Sequence, residues 1–293
     1  MIYLVDASVF VFRAYYTIPP DMQAPDGTPI NALYGFCRFL GDILERQKPE
    51  YIAVAFDESL STSFRNELYP EYKANRDPAP EDLKMQFALC RQAAALMGTS
   101  VFSSPRYEAD DIIGKLSVFM RDLGKASTIV SRDKDLTQLI QPGDKFWDLK
   151  KPPIEYSEIK EYFGVHPEAI ADFLALTGDA VDNIPGIPGV GKKTAAALLE
   201  NFTCLDDIYA NIPTVSTIKV RGAKTLGAKL LEHKDLVYRS RELTQIATEM
   251  PLDVCENELR WQGPKFEKLN SFFDDLGIGQ SLRNQLKRLE AQQ

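Results

Sequence analysis

Three short apolar runs in the first half of the chain each lead into aspartate. Ile2-Tyr3-Leu4-Val5 runs into Asp6, and Tyr51-Ile52-Ala53-Val54-Ala55-Phe56 into Asp57; Ser127-Thr128-Ile129-Val130-Ser131 is followed by Asp133 and Asp135. Unbroken apolar runs of this length predict strands buried on both faces. Between them, apolar residues recur at helical spacing over about 31–47, 81–97 and 108–123. The alternation predicts an α/β fold with a doubly wound, mostly parallel sheet. In such sheets the functional crevice lies outside the carboxyl ends of the strands, where strand order reverses. From about residue 166 the pattern becomes helical, and 256–293 reads as amphipathic helices packing back on the body. The expected organisation is an α/β domain over 1–165 and a helical region over 166–293.

This topology gives the acids a common address. Asp6, Asp57, Asp133 and Asp135 follow strand ends, and Glu108, Asp110 and Asp111 open the helix before the third strand. Any one of them is explained by helix capping or the helix dipole. Seven on one sheet edge repel each other unless cations sit among them. Hard oxygen ligands in a chain with only two histidines point to Mg²⁺ or Mn²⁺. A carboxylate cleft holding about two such ions some 4 Å apart suits phosphodiester hydrolysis. Asp133-Lys134-Asp135 lacks the glycine and terminal glutamate of a calcium loop.

Composition narrows the class. The chain has 293 residues, 44% hydrophobic and 26% charged, with four scattered cysteines and no CxxC pair. That pattern favours reduced thiols in the cytoplasm over a disulfide frame or a zinc site. No run is long enough to span a membrane, and the first residues lack a basic leader. The net charge of −8 argues against nucleic-acid binding unless acids and bases are segregated. They are unevenly placed. Residues 58–80 form a polar, proline-punctuated segment leaving the strand at Asp57, and it interleaves Arg65, Lys73 and Arg76 with Phe64, Tyr69 and Tyr72. Cations there would hold phosphates, and aromatic rings would stack on unpaired bases. Arg13, read as the start of a loop after Asp6, is a further phosphate candidate.

In the second half Asp179 and Asp182 precede Gly186-Ile187-Pro188-Gly189-Val190-Gly191-Lys192-Lys193. A Walker loop would need Ser or Thr where Lys193 stands, and a preceding strand; neither is present. A helix-hairpin-helix over about 182–200 fits better. Its turn, at Gly186, Gly189 and Gly191, would free backbone N–H groups for a duplex phosphate, with Lys192 and Lys193 beside it.

Assembled, these residues make the chain resemble the bacterial 5′ nuclease family over about residues 1–250. That family comprises the 5′–3′ exonuclease domain of DNA polymerase I, stand-alone exonucleases and flap endonucleases. The resemblance rests on Leu4-Val5-Asp6, Val54-Ala55-Phe56-Asp57, Phe64-Arg65, Tyr72-Lys73-Ala74-Asn75-Arg76, Glu108-Ala109-Asp110-Asp111, Asp133-Lys134-Asp135, and Gly178-Asp179 through Gly191. It implies a PIN-like nuclease fold, with Asp6, Asp57, Glu108 and Asp110 around one divalent ion. Asp111, Asp133, Asp135, Asp179 and Asp182 would lie around a second, some of them through water. It further implies a helical arch over about 58–80, whose Tyr72, Lys73 and Arg76 act on the strand near the scissile phosphate. Arg65 and Arg13 join the expected DNA contacts, and the hairpin would hold duplex DNA and, in some members, K⁺.

The expected activity is divalent-metal-dependent 5′–3′ exonuclease and flap endonuclease action on DNA. The expected chain is a monomer that acts alone or with a DNA polymerase in trans. RNA primers on DNA are a possible substrate under this reading. The competing classes are a non-catalytic junction-binding module of the same fold, a related ribonuclease and, weakest, a P-loop ATPase.

Overall fold

The computed structural model describes residues 1–58 and 62–291. The first half runs β1 (Ile2–Asp6), α1 (Ala7–Thr17), α2 (Asn31–Gln47), β2 (Tyr51–Asp57), α3 (Phe64–Leu68), α4 (Glu81–Leu96), β3 (Ser100–Ser104), α5 (Ala109–Asp122) and β4 (Ser127–Val130). Two short strands follow, β5 (Lys145–Trp147) and β6 (Ile154–Glu155), then α6 (Tyr156–Phe163), α7 (Ile170–Thr177) and α8 (Lys192–Asn201). The remainder is α9 (Leu205–Ala210), α10 (Ile212–Val215), α11 (Ala223–Glu232), α12 (Lys234–Thr244), α13 (Glu256–Leu259), α14 (Phe266–Asp275) and α15 (Gln280–Glu290).

The sheet order is β3-β2-β1-β4-β5-β6. All neighbours are parallel except the β5–β6 pair. Strand order therefore reverses between β1 and β4, the crevice position of a doubly wound sheet. The apolar runs are unbroken because successive residues feed two different cores. Ile2, Leu4, Ala53, Ala55 and Ile129 pack with α5 and the helices after it. Val5, Ile52, Val54, Phe56 and Val130 pack with α1, α2 and α4. Leu269, Phe272, Phe273, Leu282, Leu286 and Leu289 join this second core, so α14 and α15 return to the first half of the chain.

Two expectations change at this level. Arg13 does not begin a loop; it lies within α1, which buries Ala7, Phe10, Val11 and Ala14 against α2. The i, i+3, i+4, i+7 spacing was present, but the run is short and rich in β-branched and aromatic residues. β3 is an additional strand, at the sheet edge, with every residue half-buried and no apolar alternation.

Candidate metal centre and nucleic-acid cleft

Asp6 and Asp57 are the last residues of β1 and β2, and Asp133 follows β4. Parallel register puts all three at one edge. Hydroxyls and backbone N–H groups then fix the carboxylates. Ser131 Oγ donates to Asp6 Oδ2 at 2.6 Å and accepts from the N–H of Asp133 at 2.9 Å. Asp57 Oδ1 accepts from the N–H of Ala109 at 2.8 Å, and its own N–H donates to Ser8 Oγ at 3.2 Å. Asp133 Oδ1 caps the turn through the N–H of Asp135 at 2.9 Å. Ser8 and Ser131 are site residues that the apolar patterning did not single out; their only sequence signal is a small hydroxyl one or two residues from a strand-end aspartate.

The N-terminus of α5 brings the remaining acids. Glu108 and Asp110 line the same cleft as Asp6, Asp57 and Asp133, a cavity of ≈1390 Å³. Burial, then the charges of Asp133, Asp6 and Asp57, push the Asp110 carboxyl well above its ordinary range. Burial and Asp57 push Asp6 up to about 7, against the hydrogen bond from Ser131. Asp135 rises to about 8 through burial and the charges of Asp133, Asp179 and Asp182. Asp133 thus acts electrostatically on both acidic groups, raising Asp6 and Asp110 as well as Asp135. Asp179 and Asp182 are carried by a loop closed by reciprocal backbone hydrogen bonds between Asp179 and Ile184, 2.9 and 2.8 Å. Behind that loop, Gly178 and Gly186 pass so close that a Cβ on Gly186 would stand 2.2 Å from the Thr177 carbonyl carbon.

Asp111 departs from the expectation. It is fully buried and does not face the cleft. Its oxygens accept from Arg65 Nη1 and Nη2 at 2.7 and 2.8 Å, from the N–H of Glu108 at 3.0 Å and from the N–H of Ala247 at 2.8 Å. A carboxylate so occupied has no face left for a metal. Arg65 changes role with it. It is 3% exposed, and its Nε and Nη2 also donate to the carbonyls of Leu243 and Gln245 at 2.8 and 3.0 Å. It is an internal tie between α3, α5 and α12, out of reach of DNA.

Residues 69–77 cover the acids as a series of turns after the short helix α3. The expected arch over about 58–80 also includes Ser59, Leu60 and Ser61, which lie outside the described residues. Lys73, at a left-handed φ of 56°, places Nζ 2.9 Å from Glu108 and 3.7 Å from Asp182. Arg76 pairs with Asp182. Tyr72 Oη donates to Glu108 Oε2 at 3.0 Å and also lies 3.2 Å from Asp182 Oδ2. The backbone N–H of Lys73 donates to Asp182 O at 3.0 Å, and Asn183 Nδ2 to Glu71 O at 2.7 Å. Burial alone would raise Glu108, but Lys73 and Arg65 beside it hold it below its ordinary value.

Among the described residues, no three Asp, Glu, His or Cys side chains are already closed around one ion-sized point. The Lys73 ammonium stands between Glu108 and Asp182. The donor set nevertheless suits hard divalent ions: it is all carboxylate, with Asp6, Asp110, Asp133 and Asp135 raised by burial and by neighbouring acids, and it has no histidine or thiol.

The hairpin residues lie between α7 and α8. Val190 closes a turn onto Ile187 O at 2.9 Å, and Gly189 takes φ 82°. Gly191 caps α8 with nothing within 4 Å of a Cβ position, and Lys192 and Lys193 are exposed. Arg13 lines a different depression, apart from the acidic cleft.

Comparison with known proteins agrees with this architecture. Residues 1–164 match the family model for the 5′–3′ exonuclease N-terminal resolvase-like domain, and residues 165–267 that for the 5′–3′ exonuclease C-terminal SAM fold. The 5′–3′ exonuclease of Aquifex aeolicus is 33% identical over 96% of this chain and 94% of its own length. That of Buchnera aphidicola is 35% identical over 86% and 88%. DNA polymerase I of Rhizobium leguminosarum is 40% identical over 92% of this chain, which spans only 27% of that relative. Among solved structures, bacteriophage T5 5′-exonuclease with bound zinc superposes with a TM-score of 0.66 at 21% identity, covering 95% of this chain and 98% of that one. The T5 flap endonuclease solved with DNA and metal ions gives 0.66 at 21%, over 99% of both chains. At that identity the structural likeness speaks for the fold. The family models and the stand-alone relatives together establish that this chain belongs to the 5′–3′ exonuclease family.

Proposed function

We propose that the chain is a divalent-metal-dependent 5′ nuclease. It hydrolyses DNA phosphodiesters at 5′ ends and at flap-like junctions, leaving a 5′-phosphate and a 3′-hydroxyl. The observation that carries this reading is one cleft with an acidic floor and a cationic cover. Asp6, Asp57, Asp110 and Asp133 line it together with Tyr72, Lys73 and Arg76. In this reading Asp6, Asp57, Glu108 and Asp110 hold one Mg²⁺ or Mn²⁺, and Asp133, Asp135, Asp179 and Asp182 a second. When bound, such ions supply Lewis-acid stabilisation and lower the pKa of a water. The chain's own residues do the rest. Ser131 holds the Asp6 carboxylate in place, and Ser8 holds the backbone of Asp57. Lys73 and Arg76, freed from Glu108 and Asp182, neutralise the phosphate of the strand being cut. Tyr72, 3% exposed and packed on Ile184 and Leu243, does not offer its ring to a base; its hydroxyl holds Glu108. The α7–α8 hairpin, with Gly191 at the start of α8 and Lys192 and Lys193 beside it, grips a duplex phosphate independently of base sequence. The likeness in fold to T5 enzymes solved with zinc and with DNA and metal ions supports the same assignment.

The deciding experiment is a 5′-flap duplex labelled at its 5′ end, incubated with Mg²⁺ or EDTA and resolved to single nucleotides. Cleavage near the junction with Mg²⁺ alone is the expected result. Binding without cleavage would mark a junction-binding module instead.

A further inference from the structure

A second groove, of ≈470 Å³, opens on the other flank of α1. Ser8, Val9 and Phe12 of α1 face the acidic cleft, whereas Phe10, Arg13, Ala14 and Thr17 face this groove. α2 supplies the opposite wall with Tyr34, Arg38, Phe39 and Arg46. Trp147 and Leu149, at and just beyond the end of β5, close the third side. Its volume falls within the range of roughly 300–1,000 Å³ common for ligand sites. The floor is closely packed: a Cβ on Gly35 would stand 2.6 Å from Ala14 Cβ, and Phe10 stacks on Phe39 with ring centroids 3.9 Å apart.

The chemistry of the lining is specific. In a chain of net charge −8, three arginines meet here with four aromatic rings. Arg13 and Arg46 are exposed, and Arg38 spends one donor on Ser281 Oγ at 2.9 Å. Among the described residues none of the three is in an ion pair. Asp42 is the single acid in the lining, and it accepts from Gln285 Nε2 at 2.9 Å. Guanidinium groups without carboxylate partners are matched to phosphates. Partly exposed rings beside them offer stacking for bases free of a duplex.

We infer that this groove holds an unpaired stretch of the substrate's phosphodiester chain, with Arg13, Arg38 and Arg46 on its phosphates and Trp147 against a base. The inference rests on the nuclease reading above and adds a contact surface one helix away from the acidic cleft. Duplex DNA, with its bases stacked inward, makes no use of the aromatic wall.

Intrinsic fluorescence tests it in the intact 293-residue chain, in EDTA so that DNA stays uncut. The chain has two tryptophans. Trp261 is committed elsewhere, donating to Met97 O at 2.9 Å. Titration with a twelve-residue thymidine oligonucleotide should quench wild-type emission, and W147F should lose that quench. The R13E/R46E double variant, both positions being exposed, should keep its Tm and weaken binding about tenfold at low salt. Its slope of log Kd against log salt should fall by about one. No quench in the wild type, a quench that survives in W147F, or an unmoved Kd in R13E/R46E would overturn the groove assignment. So would a blunt duplex that quenches as strongly as the oligonucleotide. Flap cleavage by the wild type is scored separately: its absence defeats the nuclease reading, whereas cleavage with an unresponsive groove defeats only this one.

Discussion

Asp110 and Asp111 are adjacent in the chain and meet opposite fates. Asp110 lines the acidic cleft among Asp6, Asp57 and Asp133, and its proton affinity is raised by burial and by their charge. Asp111, one helical step round, is buried against Arg65 and takes hydrogen bonds from Glu108 and Ala247 as well. One carboxylate is raised in place by burial and by like charge, which a bound cation would relieve. The other has its cation built in. Acid-rich sequence alone does not mark a metal ligand; the distinction lies in whether folding has already supplied the countercharge.

The sharpest way to break this contrast is on the Asp110 side. Asp110→Ala removes a repelled carboxylate from the cleft, so the fold should survive and the metal-free Tm should hold or rise. Flap cleavage should drop by about a thousandfold or more, since a lost ligand removes transition-state charge stabilisation. Single-turnover cleavage and a thermal melt on the same sample check both halves. Cleavage within tenfold of wild type would remove Asp110 from the centre.

Asp111→Ala should do the reverse, acting on the fold first. Removing one partner of a buried pair typically costs about 3–5 kcal/mol, because the guanidinium is left uncompensated. Denaturant unfolding should show that loss, and Arg65→Met combined with Asp111→Leu should recover a good part of it. A variant as stable as wild type but catalytically dead would return Asp111 to the ligand set.

That distinction marks the limit of what the sequence discloses. β1, β2 and β4 were legible because both faces of each are buried, which leaves an unbroken apolar signature. α2, α4 and α5 matched their periodicity to within about two residues. The convergence of Asp6, Asp57, Glu108, Asp110 and Asp133 followed from topology, since parallel strands deliver their ends to one edge. β3 escaped because an edge strand half-exposed on both faces leaves no period. The partnership of Arg65 with Asp111 escaped for a different reason. A salt bridge across 46 residues of chain is decided by how α3 lands on α5, and no local spacing encodes that landing. Both residues sat inside motifs that read as functional, and the pairing is what moved them.

The contrast should also show itself against pH. Asp6 and Asp135, raised to about 7 and about 8, bind protons more tightly folded than unfolded. Stability therefore falls with rising pH, from the ordinary aspartate range near 4 up to about 8, as these groups are forced to ionise in place. In EDTA the Tm of the wild type should decline by several degrees between pH 5 and pH 8. Mg²⁺ should restore it, most at the alkaline end, because the ion binds the deprotonated form. Asp110→Ala should flatten the decline. A metal-free Tm that climbs over this window would mean that the acids are not mutually repelled.

The smallest effect concerns a cation the cleft already contains. Lys73 Nζ stands 2.9 Å from Glu108 and 3.7 Å from Asp182, and these acids hold its proton more firmly than usual despite burial. A divalent ion drawing on Glu108 competes with that ammonium. Lys73→Ala should accordingly tighten Mn²⁺ binding severalfold in the absence of DNA, measured by calorimetry at pH 8, even as cleavage slows for want of a phosphate partner. The opposite signs are the point of the measurement. A lysine that merely supported the local fold would weaken both metal binding and cleavage when removed. One that stands in for the metal separates them, because its departure frees Glu108 Oε1 for the ion while Arg65 and Tyr72 stay on Oε2.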